Sequence, residues 1–148
     1  MGFGQAIKHV FKNYATFQGR ASRSEFWWWY LFTVIVSTIL FIPAMPWYNE
    51  YVNATLNQMG DATQVLPAPT GLAMAGLVLS AIFSLAILIP SIAVAARRLH
   101  DTDRSGWWLL LYFLTCCFGI GIIVLIIFWI LPSTPGPNRF GLGPAIAD

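Results

Sequence analysis

Residues 71–96, GLAMAGLVLSAIFSLAILIPSIAVAA, contain no charged side chain, and they exceed the ~20 apolar residues that cross a bilayer core. A helix at the surface of a soluble domain alternates an apolar stripe with a polar face. Here the apolar residues run on all round, so the stretch reads as a transmembrane helix, with Pro90 placed to kink it. Working outward, residues 26–46 form a second such run. It opens on Phe26-Trp27-Trp28-Trp29-Tyr30, aromatics suited to the headgroup level. The preceding Ser22-Arg23-Ser24-Glu25 has the Ser-x-x-Glu spacing of a capping box. Residues 107–131 form a third run. Composition agrees, since the 148-residue chain is 57% hydrophobic and 9% charged, against roughly 25% charged for a soluble domain.

The expected fold is an all-α membrane protein, one integral membrane domain over 1–148, built as a small helical bundle of three apolar segments with an amphipathic N-terminal interfacial helix. Within residues 1–24, Phe3, Ile7, Val10, Phe11 and Tyr14 recur at helical spacing, with Lys8, His9, Lys12 and Asn13 opposite. That stripe either lies on the membrane surface or packs on the other helices. Residues 47–70 read as a polar loop without strong regular structure, 97–106 as a cytoplasmic turn, and 132–148 as an extended, solvent-facing tail. The third segment has Phe118-Gly119-Ile120-Gly121 at its middle. As one kinked helix it spans about 37 Å, one tilted crossing. Split at the glycines, each half falls below the ~17 residues of a full crossing. Length therefore favours three spans over four.

Orientation follows from Lys and Arg, which accumulate in cytoplasmic loops. The counts are four before the first span, none in the first loop, three in the second and one in the tail. That alternation puts the amino terminus in the cytoplasm. A formal net charge of +2, scattered along the chain, excludes nucleic acid as a partner. No cleavage pattern follows the first apolar run, so it stays as an anchor. Adjacent Cys116 and Cys117 suit neither a mutual bridge nor a metal site.

Five of the fourteen formally charged residues fall between Arg97 and Arg104. With guanidinium groups for phosphate oxygens, this cluster suits an anionic lipid headgroup. The simpler reading is an orienting turn in which Arg97 with Asp101 and His100 with Arg104 share a helix face. Arg20, Arg23 and Glu25 sit at the same depth, which predicts a network of these three with Arg97, Asp101 and Arg104. Arg98, His100 and Asp103 complete the candidate polar site. His100 beside Asp101 or Asp103 resembles an acid–base pair, but no nucleophile motif or glycine-rich phosphate loop accompanies it. Only two histidines occur, so no metal or other cofactor is expected. Ser105 or Asp103 is placed to cap the helix that follows. Gly76, Ser80 and Ser84 form a small-residue helix-packing face.

Three stretches together resemble the family of domain of unknown function 805: residues 17–27, FQGRASRSEFW; residues 97–108, RRLHDTDRSGWW; and residues 134–141, TPGPNRFG. The resemblance spans most of the chain in order. It implies a bacterial inner-membrane, multi-pass protein without implying an activity. It also implies that the third segment is a helical hairpin, returning the tail to the cytoplasm. The first loop is longer than looks usual for the family. The function expected is that of a non-enzymatic scaffold or regulator, partnered by membrane lipids, a second copy or another membrane protein. The alternative is a lipid-handling protein using Arg97–Arg104.

Overall fold

The computed structural model describes residues 1–58, 63, 65–112 and 120–143. The expectations for Cys116, Cys117 and Gly119 lie outside them. Among the described residues every regular element is helical: α1 Phe3–Lys12, α2 Arg23–Phe41, a 3₁₀ turn Ile42–Ala44, α3 Met45–Gln58, α4 Gly71–Asp101, a second 3₁₀ turn Gly106–Leu110 and α5 Ile120–Ile130. The chain divides into two compact units, one of residues 1–32 with 87–148 and one of 33–86. The stretch Arg23–Gln58 and helix α4 are each long and apolar enough to cross a membrane. Whereas α3 exposes Asn49, Glu50, Asn53 and Asn57, most outward residues along α2 and α4 are apolar, with Ile39 57% and Leu85 70% exposed. Water would oppose such a surface, whereas lipid tails suit it.

In the unit of residues 33–86, the first apolar run does not give way to an irregular loop. Pro43 and Pro46 look like stops, yet each stands where a helix needs no amide donor, one in the first turn of the 3₁₀ segment and one in that of α3. The chain therefore stays helical to Gln58, which corrects the irregular loop expected over 47–70 for residues 47–58, while 65–70 carry no regular element as expected. Trp47 packs on Tyr51 in a tilted pair, centroids 5.5 Å apart, and donates its indole N–H to the Pro67 carbonyl at 3.0 Å. Phe41 meets Tyr48 edge-on at 5.7 Å.

Gly76 is the close approach of this unit. A Cβ there would lie 3.2 Å from the Leu40 carbonyl oxygen and from the Pro43 Cβ, and 3.3 Å from the Ala44 amide. Gly76→Val is accordingly expected to cost about 1–3 kcal/mol through overpacking, read as a lower melting temperature in detergent. An unchanged melting temperature would mean that the α4 seam opens freely.

The unit of residues 1–32 and 87–148 holds the tighter core: Val10, Ala21, Phe26, Trp29, Val94 and Ala95, flanked by Ile7, Phe32, Ile87, Leu109 and Trp129. The stripe of α1 packs on α2, with Ala6 and Val10 fully buried, Phe3 edge-on to Trp28 and Phe11 edge-on to Trp29. Trp29 donates its indole N–H to Ser91 Oγ at 3.0 Å, tying α2 to α4. Phe26 packs on Trp129 in a tilted pair, centroids 4.7 Å apart.

The two ends of the third apolar segment meet, Trp108 lying edge-on to Phe128 with centroids 5.3 Å apart. A straight helix would hold these residues about 30 Å apart. A single end-to-end helix over 107–131 would not make this ring contact. The tail expected to be extended is tied back at two points, where the Thr134 amide donates to the Asp101 carbonyl at 3.0 Å and Asn138 Nδ2 to the His100 carbonyl at 2.8 Å, while residues 135–137, 139 and 141–143 face solvent as expected.

Candidate functional site: a buried arginine–carboxylate cluster

Helix α4 ends in a Schellman motif. The Arg104 amide donates to the Leu99 carbonyl and the Asp103 amide to that of His100, while Asp103 takes the left-handed conformation (φ 57°) usually left to glycine. Aspartate tolerates it better than most residues. The reversal frees the chain for Ser105, whose hydroxyl accepts from the Trp107 amide as the cap of the next turn. A Cβ at Gly106 would make ordinary contacts, 3.4 Å to the Ala96 Cβ and 3.5 Å to His100 Nε2.

The last turn of α4 carries the chemistry. Arg97, Arg98 and Asp101 are buried, and Arg20 and Glu25 join them from residues 20–25. Asp101 is fully buried and meets two guanidinium groups: Arg20 Nε donates to Oδ1 at 2.9 Å, and Arg98 Nη1 donates to Oδ2. Ser133 Oγ also donates to Oδ2. Each arginine then reaches the returning tail. Arg20 donates to the Gly136 and Thr134 carbonyls, each at 2.7 Å. Arg98 Nε donates to the Trp129 carbonyl at 3.1 Å, and Nη2 to that of Leu131. These carbonyls at and just past the end of α5 lack intrahelical donors, and guanidinium N–H groups supply them.

Glu25 anchors a second group. Its Oε1 lies 3.0 Å from His9 Nδ1 and 2.9 Å from Arg97 Nη2. The Arg97 approach is an ion pair off the N–H direction, leaving Nε and Nη2 without an aligned acceptor among the described residues. The capping box is thus half made. Ser22 Oγ accepts from the Glu25 amide at 3.2 Å, but the Glu25 carboxylate turns to His9 and Arg97.

The ring of His100 stacks on Phe140 at 4.0 Å and 5°, with Nδ1 bonded to the Gly19 carbonyl at 3.2 Å. Burial lowers its pKa below the ordinary value, the Gly19 bond opposes this, and the Arg139 charge adds to the lowering. The neutral ring at pH 7 is a packing group.

The structure brings together Arg20, Glu25, Arg97, Arg98 and Asp101, with His100 beside them. Arg23 and Arg104 stand apart from the network expected for them. Arg104 lies over the Phe128 ring at 4.1 Å, and Arg23 meets no carboxylate among the described residues. Asp101 takes Arg98 and Arg20 in place of Arg97. The helix ends at Asp101, so His100 and Arg104 share no helix face. Asp103 pairs with Arg139 at the surface, 3.2 Å away. Gly76 packs within its own unit, the Ser80 hydroxyl is buried without a described partner, and Ser84 is exposed. His9, Ser133, Thr134 and Asn138 were not among the expected site residues. The last three fall within or beside the tail motif, which was their only signal.

The three stretches that carried the resemblance therefore meet at one place. The model of the family described as "Protein of unknown function (DUF805)" matches residues 14–142. The chain belongs to the DUF805 family. Among its relatives in Escherichia coli K12, the inner membrane protein YhaI is 39% identical over 135 residues, covering 91% of each chain. The inner membrane protein YhaH is 35% identical over 139 residues, covering 93% of each. No solved structure matches the chain. Its DUF805 relatives bear inner-membrane names and its long helices are apolar, and the chain is a membrane protein of a family without assigned activity.

Proposed function

We propose that this DUF805 protein is a non-enzymatic scaffold or regulator of the bacterial inner membrane, crossing it more than once, with the amino terminus and the returning tail both in the cytoplasm. One observation carries this reading: the side chains able to do chemistry are spent on holding the fold. Asp101 is closed by Arg20, Arg98 and Ser133, Glu25 by Arg97 and His9, and His100 by Gly19 and Phe140. Arg20 and Arg98 are likewise saturated by carbonyl groups, which weighs against Arg97–Arg104 as a headgroup site. The basic residues before α2 and after α4 support the cytoplasmic amino terminus. The Trp108–Phe128 contact supports a hairpin that brings the tail to the same side.

Gly76 is covered within its own chain, so the partner, a second copy or another membrane protein, meets α4 along its Ser84 side. In a Cys116→Ser, Cys117→Ser background, Ser84→Cys is expected to give a discrete cross-linked adduct in native membranes, and Ile82→Cys none. Equal adducts, or none from either, would remove the contact. A carboxyl-terminal reporter should report cytoplasm, and a periplasmic signal would remove the hairpin topology.

A further inference from the structure

The first turns of α2 and the end of α5 enclose an open groove of about 530 Å³, lined by Arg23, Ser24, Trp27, Trp28, Leu31 and Ile130. That volume falls within the roughly 300–1,000 Å³ of small-molecule sites. Its lining is graded. Arg23, Trp27 and Leu31 follow at four-residue intervals on one helix face, about 6 Å per step along the axis. A cation thus stands at the end facing water, indole rings at the headgroup level, and an aliphatic side chain toward the bilayer core. Ile130, from α5, adds an apolar wall. A glycerophospholipid has the same order of polarity: anionic phosphate, ester, acyl chain.

Charge supports that occupant. The buried cluster holds Arg20, Arg97 and Arg98 against Glu25 and Asp101, one guanidinium in excess. Arg23 adds a further positive charge that acts repulsively on Arg98, and no carboxylate among the described residues answers it. An anion at Arg23 would relieve both. Buried Arg97 also lacks aligned acceptors, but its chemistry turns to Glu25 and away from this groove.

We infer that the Arg23–Trp27–Leu31–Ile130 groove is a binding site for an anionic glycerophospholipid, its phosphate on Arg23 and an acyl chain along Leu31 and Ile130. The site is separate from the Arg97–Arg104 cluster and rests on the membrane placement proposed above.

The test uses the full chain, purified from membranes in mild detergent and exchanged into phosphatidylglycerol or phosphatidylcholine, with retained lipid counted by native mass spectrometry. Phosphatidylglycerol should be retained over phosphatidylcholine. Arg23→Gln should cut its retention about fivefold, the effect of one basic residue near an anionic lipid surface, while Lys12→Gln changes it less than twofold. Ile130→Trp, which fills the groove and keeps Arg23, should also displace the lipid. Equal losses in Arg23→Gln and Lys12→Gln, equal retention of the two lipids, or displacement by millimolar inorganic phosphate would each overturn the site. Wild-type chain washed from membranes by alkaline carbonate would instead overturn the membrane placement, and is scored separately.

Discussion

Asp101→Asn is expected to destabilise the folded chain by about 3–5 kcal/mol, the usual result of removing one partner from a buried ion pair. The carboxylate is fully buried with guanidinium groups on both oxygens. Asparagine keeps the shape but removes the charge, and it turns an NH₂ donor toward groups that are themselves donors. Two arginines then share a buried space with no counter-charge. The surface pair offers the control. Asp103 and Arg139 are half exposed, asparagine tolerates the left-handed backbone at 103, and Asp103→Asn should cost about 1 kcal/mol or less. Unfolding in detergent, followed by helical signal, reads both. A shift for Asp101→Asn no larger than that for Asp103→Asn would mean that the cluster does not hold the tail.

Making the cluster apolar should not repair the fold. Apolar replacements of buried ion triads are often tolerated elsewhere, but here Arg20 and Arg98 also serve the carbonyl groups of Trp129, Leu131, Thr134 and Gly136. Without them those acceptors are left without donors, at about 1–3 kcal/mol for each buried one. The arginines work as donors to a returning chain as much as charges against Asp101.

That double role explains what could be read from residues alone. The long apolar helices are legible because exclusion from water is a property of composition, and the meeting of residues 20–25 with 97–101 because charged groups at one membrane depth seek one another. Backbone carbonyls leave no mark in a sequence, so the reason for Arg98 was hidden. A count of residues measures contour length and is blind to reversal, so the contact of Trp108 with Phe128 has no mark in the length of 107–131. Pro43 and Pro46 misled for a related reason. Proline ends a helix in its interior and is welcome in its first turn, and spacing alone does not say which turn is first.

Glu25 carries the second large effect, because it is the carboxylate that pairs with Arg97 among the described residues. Its side chain is 2% exposed and that of Arg97 4%, so Glu25→Gln leaves a buried guanidinium whose Nε already lacks an acceptor. The expected loss is about 3–5 kcal/mol. His9, 41% exposed on the same oxygen, belongs to the weaker class, and His9→Gln should cost about 1 kcal/mol or less. The decisive comparison adds Arg97→Met. Alone it removes the partner of a buried carboxylate and should destabilise. In the Glu25→Gln chain it removes an uncompensated buried charge and should recover part of the loss, so the double-mutant cycle should show favourable coupling of about 0.5–3 kcal/mol. Additive losses in the same unfolding assay would show that Glu25 and Arg97 act separately.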